Sequence, residues 1–325
     1  MALAAVFLLC VAPGLPGSTC LADEPVATYS IVGLDPATGD IGVAVQSKFF
    51  AVGAVVPWAR AGVGAVATQA FGNTSFGPRG LALLEEGSSV DEALEALLAD
   101  DKDRERRQVG IVDASGNSAA FTGSECMDWA GHRSGVSYAA QGNILVSAET
   151  VDALAETFEE TEGAMLVERL MSALEAAQLA GGDSRGMQSA AIVVEREGAG
   201  YGGFNDRYCD LRVDDHEDPI GELRRLVDLW KEQALILEGY RLVELGAFEE
   251  AIGAGLEAVA LTPEKGEPYY HLACYYSRAG RRDEAIESLG EAVERDAELG
   301  PRATDDPDFE PLYKDAEFRS ITGGP

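Results

Sequence analysis

Residues 28–48 read TYSIVGLDPATGDIGVAVQSK, the pattern of two strands joined by a tight turn. Tyr29, Ile31 and, past Gly33, Leu34 lie in the first arm. Asp35-Pro36-Ala37-Thr38-Gly39-Asp40 concentrates turn formers: Pro36 has a fixed φ and Gly39 tolerates φ > 0. Ile41, Val43 and Val45 recur at period two in the second arm, with the small Gly42 and Ala44 between them. Such a hairpin returns Gln46-Ser47-Lys48 to the start of the first strand. The Thr28 hydroxyl and the Lys48 amine are therefore expected as neighbours at a sheet edge. A threonine beside a lysine is a nucleophile with an electrostatic helper. The same two residues also suit a β-branched strand start and a snorkelling surface cation.

Beyond the hairpin, the apolar runs 49–56 and 62–69 are expected as two more strands, separated by Pro57-Trp58-Ala59-Arg60. Residues 73–86 and 88–98 are expected as helices, the second capped by Ser88 or Ser89 with Asp91 and Glu92 at its positive end. A charged connector (101–107) leads to a hairpin at 108–122, turning at Asp113-Ala114-Ser115-Gly116-Asn117. A strand is expected at 137–146, then helices at 149–160 and 163–180, the latter stopped by Gly181-Gly182. Strands at 189–195 and 208–213 follow, and Asp218-Pro219 opens an amphipathic helix running to about residue 231. The order of strands and helix pairs suits two sheets packed face to face with helices on each outer side. In the remainder, Gly239, Gly246, Ala251 and Ala258 have small-residue counterparts at Ala273, Gly280, Ala285 and Ala292. Each pair is offset by 34 residues, the tetratricopeptide period. Two repeats are few for a free-standing solenoid, so they are expected to pack on the preceding helix, with 305–318 as a cap.

A chain of 325 residues has two domains as its prior. Its 56 acidic residues against 25 basic ones give a formal charge of −31. That surface repels phosphate backbones and anionic lipid, which argues against nucleic acid and membrane-surface partners. Residues 1–22 read as an export signal: an apolar segment from Leu3, helix breakers at Pro13-Gly14 and Pro16-Gly17, and a small-residue cleavage site at Cys20-Leu21-Ala22. The apolar run is too short for a spanning helix, so no membrane span is expected in the mature chain. Removal of the leader leaves Cys126, Cys209 and Cys274, an odd, widely spaced set that reads as buried thiols and not a disulfide framework.

Four segments carry a resemblance: TYSIVGLDPATGDIGVAVQSKFFAVG, QGNILV, ALEAAQLAGGDSRGMQSAAIVV and DLRVDDHEDPIGELRRL. They resemble an uncharacterised bacterial family, domain-of-unknown-function family 1028, placed in the Ntn-hydrolase superfamily. The resemblance spans 28–231 and implies an α+β fold, a four-layer αββα sandwich, followed at 232–325 by the α-helical tetratricopeptide-like region. It also implies that the nucleophile is the first residue of the mature chain, which carries over to Thr28, with Lys48 matching a lysine near the nucleophile. Cleavage after Ala22 leaves Asp23-Glu24-Pro25-Val26-Ala27 ahead of Thr28, so a further cut after Ala27 is required. The implied activity is hydrolysis of a C–N amide bond in a small amide or peptide. The alternative is a non-catalytic Ntn-like protein whose helical repeats dock a peptide or protein partner. Superfamily relatives often assemble, which makes a homo-oligomer an expectation.

A free α-amine, with an unperturbed pKa of about 7.7–8.0, can take the Thr28 hydroxyl proton and return it to the leaving amine. Gln69 and Asn73, after a buried strand, have amides suited to an oxyanion, and equally to turn bonding and helix capping. Asn143 has the same two readings. Asp183, Arg185, Gln188 and Ser189 sit on a Gly-rich loop between helix and strand, which suits substrate binding or an ion-paired helix stop. Asp210, Asp214, Asp215 and His216, around Arg212, have donor types for a divalent cation. The same run suits a strand edge followed by a helix cap, and no metal or other cofactor is assigned. His132 and His271 are isolated.

Overall fold

In the computed structural model, which describes residues 28–323, β1 (Thr28–Asp35) and β2 (Asp40–Ser47) pair from Thr28↔Ser47 to Asp35↔Asp40. The Asp35 carboxylate accepts from Ala37 N and Thr38 Oγ1, and Gly39 has φ 76°, so the turn closes on the residues its composition suggests. The segment 1–22, expected as a leader, lies outside the described residues.

The chain continues through β3 (Pro57–Arg60), β4 (Gly64–Ala70), α1 (Phe76–Glu85) and α2 (Val90–Ala99). Next come β5 (Arg107–Asp113), β6 (Ser118–Thr122), β7 (Gly131–Gly135) and β8 (Tyr138–Asn143). Then follow α3 (Glu149–Glu160), α4 (Leu166–Leu179), β9 (Ser189–Glu195) and β10 (Arg207–Val213). The strands form two antiparallel sheets, one ordered β10-β9-β2-β1-β8-β7 and the other β3-β4-β5-β6.

Period-two alternation decides what each face of the central hairpin meets. Val32, Leu34, Ile41, Val43 and Val45 pack against Ala65, Ala67 and Val112, which places them between the sheets. Tyr29, Ile31 and Ala44 point the other way, into a core with Leu154, Phe158, Leu166, Leu170 and Leu174 of α3 and α4. Gly33 admits the Phe158 ring: a Cβ there would come within 2.8 Å of it. Outside the smaller sheet, Val66, Val109 and Ile111 pack on Phe76, Leu81, Leu94 and Leu97 of α1 and α2. The start of α2 is closed by a capping box between Ser89 and Glu92.

Three expectations are corrected. Residues 49–56 are not a strand. A 3₁₀ turn (Val52–Ala54) follows Ala51 at φ 51°, and the strand is Pro57–Arg60 instead. Pro57 has no N–H to donate and is tolerated because it opens an edge strand. Strand β7, sequence GHRSG, was not foreseen because a short polar edge strand has no hydrophobic alternation. The helix from Pro219 does not stop near residue 231: α5 (Pro219–Glu244) runs on to Gly246, at φ 75°, the first stop signal it meets.

The rest is helical: α6 (Phe248–Leu261), α7 (Gly266–Arg278), α8 (Arg282–Arg295), α9 (Leu299–Ala303) and α10 (Ala316–Thr322). Gly246 and Gly280, 34 positions apart, both adopt positive φ, at 75° and 74°. Their helix pairs share a core with Tyr270, Ala273, Tyr275, Ala285, Leu289, Phe309 and Phe318. The protein is thus mixed α/β with antiparallel sheets and a C-terminal helical region. Cys209 and Cys274 are buried free thiols, whereas Cys126 is only half-buried. Among the described residues, no helix is long and apolar enough to cross a membrane.

Candidate functional site

One end of the inter-sheet space is polar. Register aligns Asn143, Thr28, Ser47 and Ser189 on a single rung across β8, β1, β2 and β9. Directly opposed residues of antiparallel strands share a face, and parity with Val32 and Val45 assigns that face to the inter-sheet side. All four are buried. Thr28 Oγ1 donates to Ser47 Oγ at 3.1 Å. Ser189 Oγ donates to Phe49 O at 2.5 Å and accepts from Val52 N at 3.1 Å, pinning the loop that leaves β2.

A second rung and the opposing sheet complete a hydrogen-bonded layer. Gln141 Nε2 donates to Ser30 Oγ at 2.7 Å, and Ser30 Oγ donates to Gln69 Oε1 at 2.5 Å. Gln69 Nε2 donates to Gln108 Oε1 at 2.7 Å and to the Thr28 carbonyl at 3.3 Å. Asn143 Nδ2 also reaches Gln108 Oε1, at 3.1 Å. Gln108 Nε2 is held by the Gly142 carbonyl at 2.8 Å and Thr122 Oγ1 at 2.9 Å. The Thr28 backbone is thereby tied to both sheets through buried amides, each of which costs little only while its partner is present.

Gly110 is what lets Gln141 lie there, since a Cβ at that position would overlap the carboxamide. Gly110→Ala is expected to cost about 1–3 kcal/mol and to break the Gln141–Ser30–Gln69 chain. Denaturant titration measures the first effect and amide-proton NMR the second.

Backbone strain gathers at the same end. Ala51, Ala70 and Ile144 all have positive φ (51°, 64° and 54°); Ala70 ends β4, and the other two lie in the segments that leave β2 and β8. Such conformations cost roughly 1–3 kcal/mol apiece and concentrate where a site is held in shape. Ile144 is β-branched, which makes it the strongest outlier of the three. Its loop pairs with the Gly-rich one: Leu145 bridges Asp183, and Ser184 N donates to the Ile144 carbonyl.

Of the residues singled out in the sequence, Thr28, Gln69, Asn143 and Ser189 meet in this layer. Asp183 closes its rim: the carboxylate accepts from Lys48 N at 3.0 Å, Arg185 N at 2.9 Å and the Arg185 guanidinium at 3.0 Å. Gln188 N donates to the Ser47 carbonyl, while its side chain donates to Asp215. Lys48 is exposed, and its ammonium donates to the Met187 carbonyl at 3.0 Å, while the Thr28 hydroxyl donates to Ser47. Asn73 lies outside the layer, taking Ser75 N on its oxygen and giving its amide to Asp101.

The four metal candidates diverge. Asp210 pairs with Arg207 and Arg212 on the strand edge, Asp215 takes the Gln188 amide, and His216 Nδ1 accepts from Asp218 N. Asp214 is exposed and meets the layer's rim only through its carbonyl, bonded to Ala51 N. Strand alternation on one side and the Asp218 helix cap on the other pull them apart. Among the described residues, the metal-type donors that do converge are Cys274, Asp306 and Asp308 in the helical region. There Tyr270 and Arg278 already occupy the two carboxylates.

Sequence reading missed Ser30, Ser47, Gln108, Thr122 and Gln141. The available signal was a polar residue on the inward parity of an otherwise apolar strand.

No curated protein matches the chain. A crystal structure of a protein from Silicibacter pomeroyi, carrying the same family model, is similar at 34% identity and a TM-score of 0.55, over 62% of this chain and 84% of that one. A model described as "Family of unknown function (DUF1028)" matches residues 28–223, a span that holds both sheets and the entire polar layer. The chain therefore belongs to that family of unknown function.

Proposed function

We propose that residues 28–231 form an Ntn-type amidohydrolase in which Thr28, once freed as the N-terminus, is the nucleophile. The observation that carries this reading is the buried rung of Thr28, Ser47, Ser189 and Asn143 between two sheets, with Gln69 holding the Thr28 carbonyl. The helix–sheet–sheet–helix order of the cores is compatible with the αββα sandwich of that superfamily. In the reaction, the freed amine takes the hydroxyl proton as Thr28 Oγ1 attacks the substrate carbonyl. The C–N bond then breaks, the proton leaves with the amine, and water releases the acyl group. Lys48, held by Met187, acts through its positive field and not by contact. Asp183, Arg185 and Gln188 line the substrate side.

Residues 1–22 are read as an export leader and 232–325 as tetratricopeptide-like repeats, the latter on the matched glycine turns. The experiment is intact-mass measurement of the purified mature protein, followed by labelling with an amide-mimicking electrophile. A chain starting at Thr28 and carrying the label there is the expected result. An unlabelled but active protein that retains Asp23 to Ala27 removes Thr28 from the mechanism.

A specific observation favours a second reading, that of a binding protein without turnover. Thr28 is fully buried, and its hydroxyl is hydrogen-bonded within the layer. In that case the helical region carries the function by docking a peptide or protein.

A further inference from the structure

Arg169, on α4, is 6% exposed and lines a cleft of about 700 Å³. The cleft lies beside the β1–β2 turn, at the end of the sheet away from Thr28. Seven steps along β1 separate the two ends, or about 23 Å. The guanidinium is laid over the Phe158 ring, 3.9 Å from its centroid, and Nη2 donates to the Phe158 carbonyl at 2.8 Å. Nε is buried with no hydrogen-bond partner. Among the described residues, no carboxylate lies within ion-pair distance of it.

The acidic groups nearby have other duties. Asp35 closes the turn, and Glu159 is taken by Arg133 and the Tyr138 hydroxyl. Glu162 is exposed. Burial pushes the guanidinium below its ordinary pKa, with Asp35 and Glu162 opposing that from a distance.

A buried cation without a paired anion is costly, and a cation–π contact offsets only part of that cost. Arg133, by contrast, pairs with Glu156 and Glu159. The walls around Arg169 combine apolar side chains, Leu34, Pro36, Ala37, Val136 and Phe158, with the carboxylates of Asp35, Glu159 and Glu162. Val136 is 86% exposed at the rim. A buried cation without a carboxylate partner, set beside those apolar side chains, matches a molecule with one negative group on a short hydrocarbon body.

We propose that this cleft is a second binding site, distinct from the polar layer, which takes a small organic carboxylate with a short aliphatic or aromatic body and anchors it on Arg169.

The test is NMR titration of the full chain, with methyl groups labelled, using hexanoate and phenylacetate. Saturable shifts at Leu34 and Val136, with a Kd below roughly 10 mM, are expected. Hexanamide, which has the same body without the charge, is expected to bind at least tenfold more weakly. Arg169→Gln is expected to weaken hexanoate at least tenfold while leaving any electrophile labelling at Thr28 unchanged. Phenylalanine binding as well as phenylacetate would identify free amino acids as the natural source of the carboxylate, and its rejection would identify simple acids. Should Arg169→Gln fail to fold, Ala37→Trp on the exposed turn narrows the cleft without touching the guanidinium, and it must also abolish binding. Equal binding of hexanamide and hexanoate, shifts confined to other residues, or no shift at roughly 10 mM overturns the proposal.

Discussion

Thr28→Ala, in protein whose mature chain begins at that position, is expected to lose at least about 10³-fold of its amide-hydrolysing activity and all electrophile labelling. The side chain removed is the attacking group, and Ser47 cannot replace it because its hydroxyl has no α-amine attached to serve as base. The fold should survive, since the loss is confined to one hydroxyl, bonded to Ser47 at 3.1 Å, and one methyl. Thr28→Ser keeps hydroxyl and amine together and should retain measurable turnover. The decisive pair of measurements is steady-state hydrolysis across an amide panel and circular dichroism on the same preparations. Undiminished turnover in well-folded Thr28→Ala would remove Thr28 from the mechanism, whereas no turnover by the processed parent protein would leave the binding-protein reading standing alone.

Gln69→Met is expected to be the most destabilising substitution in the polar layer, by about 3–5 kcal/mol. Methionine fills nearly the same volume, so little of the cost comes from a cavity. It comes from the partners left behind. The Ser30 hydroxyl loses its acceptor, the Thr28 carbonyl loses the Gln69 amide, and Gln108 Oε1 keeps the Asn143 amide but not that of Gln69. All of them are buried, so water cannot replace what is removed. For an α/β region of about 200 residues this corresponds to a melting-point drop of roughly 6–20 °C. Asn73→Ala, five residues from Gln69's neighbour Thr68 yet outside the layer, should cost only about 1 kcal/mol. Calorimetry of both variants checks the contrast. Equal effects would mean that Gln69 has no privileged place in the structure.

How much of the site was readable depended on where each residue sits along its strand. Thr28, Gln69, Asn143 and Ser189 stand at strand ends, where a polar residue interrupts an apolar run. Ser30 and Gln141 lie inside strands, where one polar side chain gives no sign of which partner it meets across the sheets. The exchange of Lys48 for Ser47 as neighbour of the Thr28 hydroxyl is a matter of parity. Once Asp35 pairs with Asp40, Thr28 must face Ser47, and the next residue turns away. Helix ends behaved likewise. Residues 149–160 were legible because periodicity and boundary coincide, whereas α5 ran past its expected end because nothing before Gly246 stops it.

Local chemistry alone determined the central hairpin, α3, β9, the antiparallel character of the strands and the glycine turns spaced 34 residues apart. Each of these depends on alternation, turn residues or caps within a few positions of one another. The tertiary structure decided which buried amides share hydrogen bonds, where Lys48 points, and that Arg169 borders a cleft. Those outcomes follow from a strand order of β10-β9-β2-β1-β8-β7, which brings Ser30 beside Gln141 across 111 positions of chain. No local pattern encodes that meeting, because it arises only when separately specified strands bury their faces against a common partner.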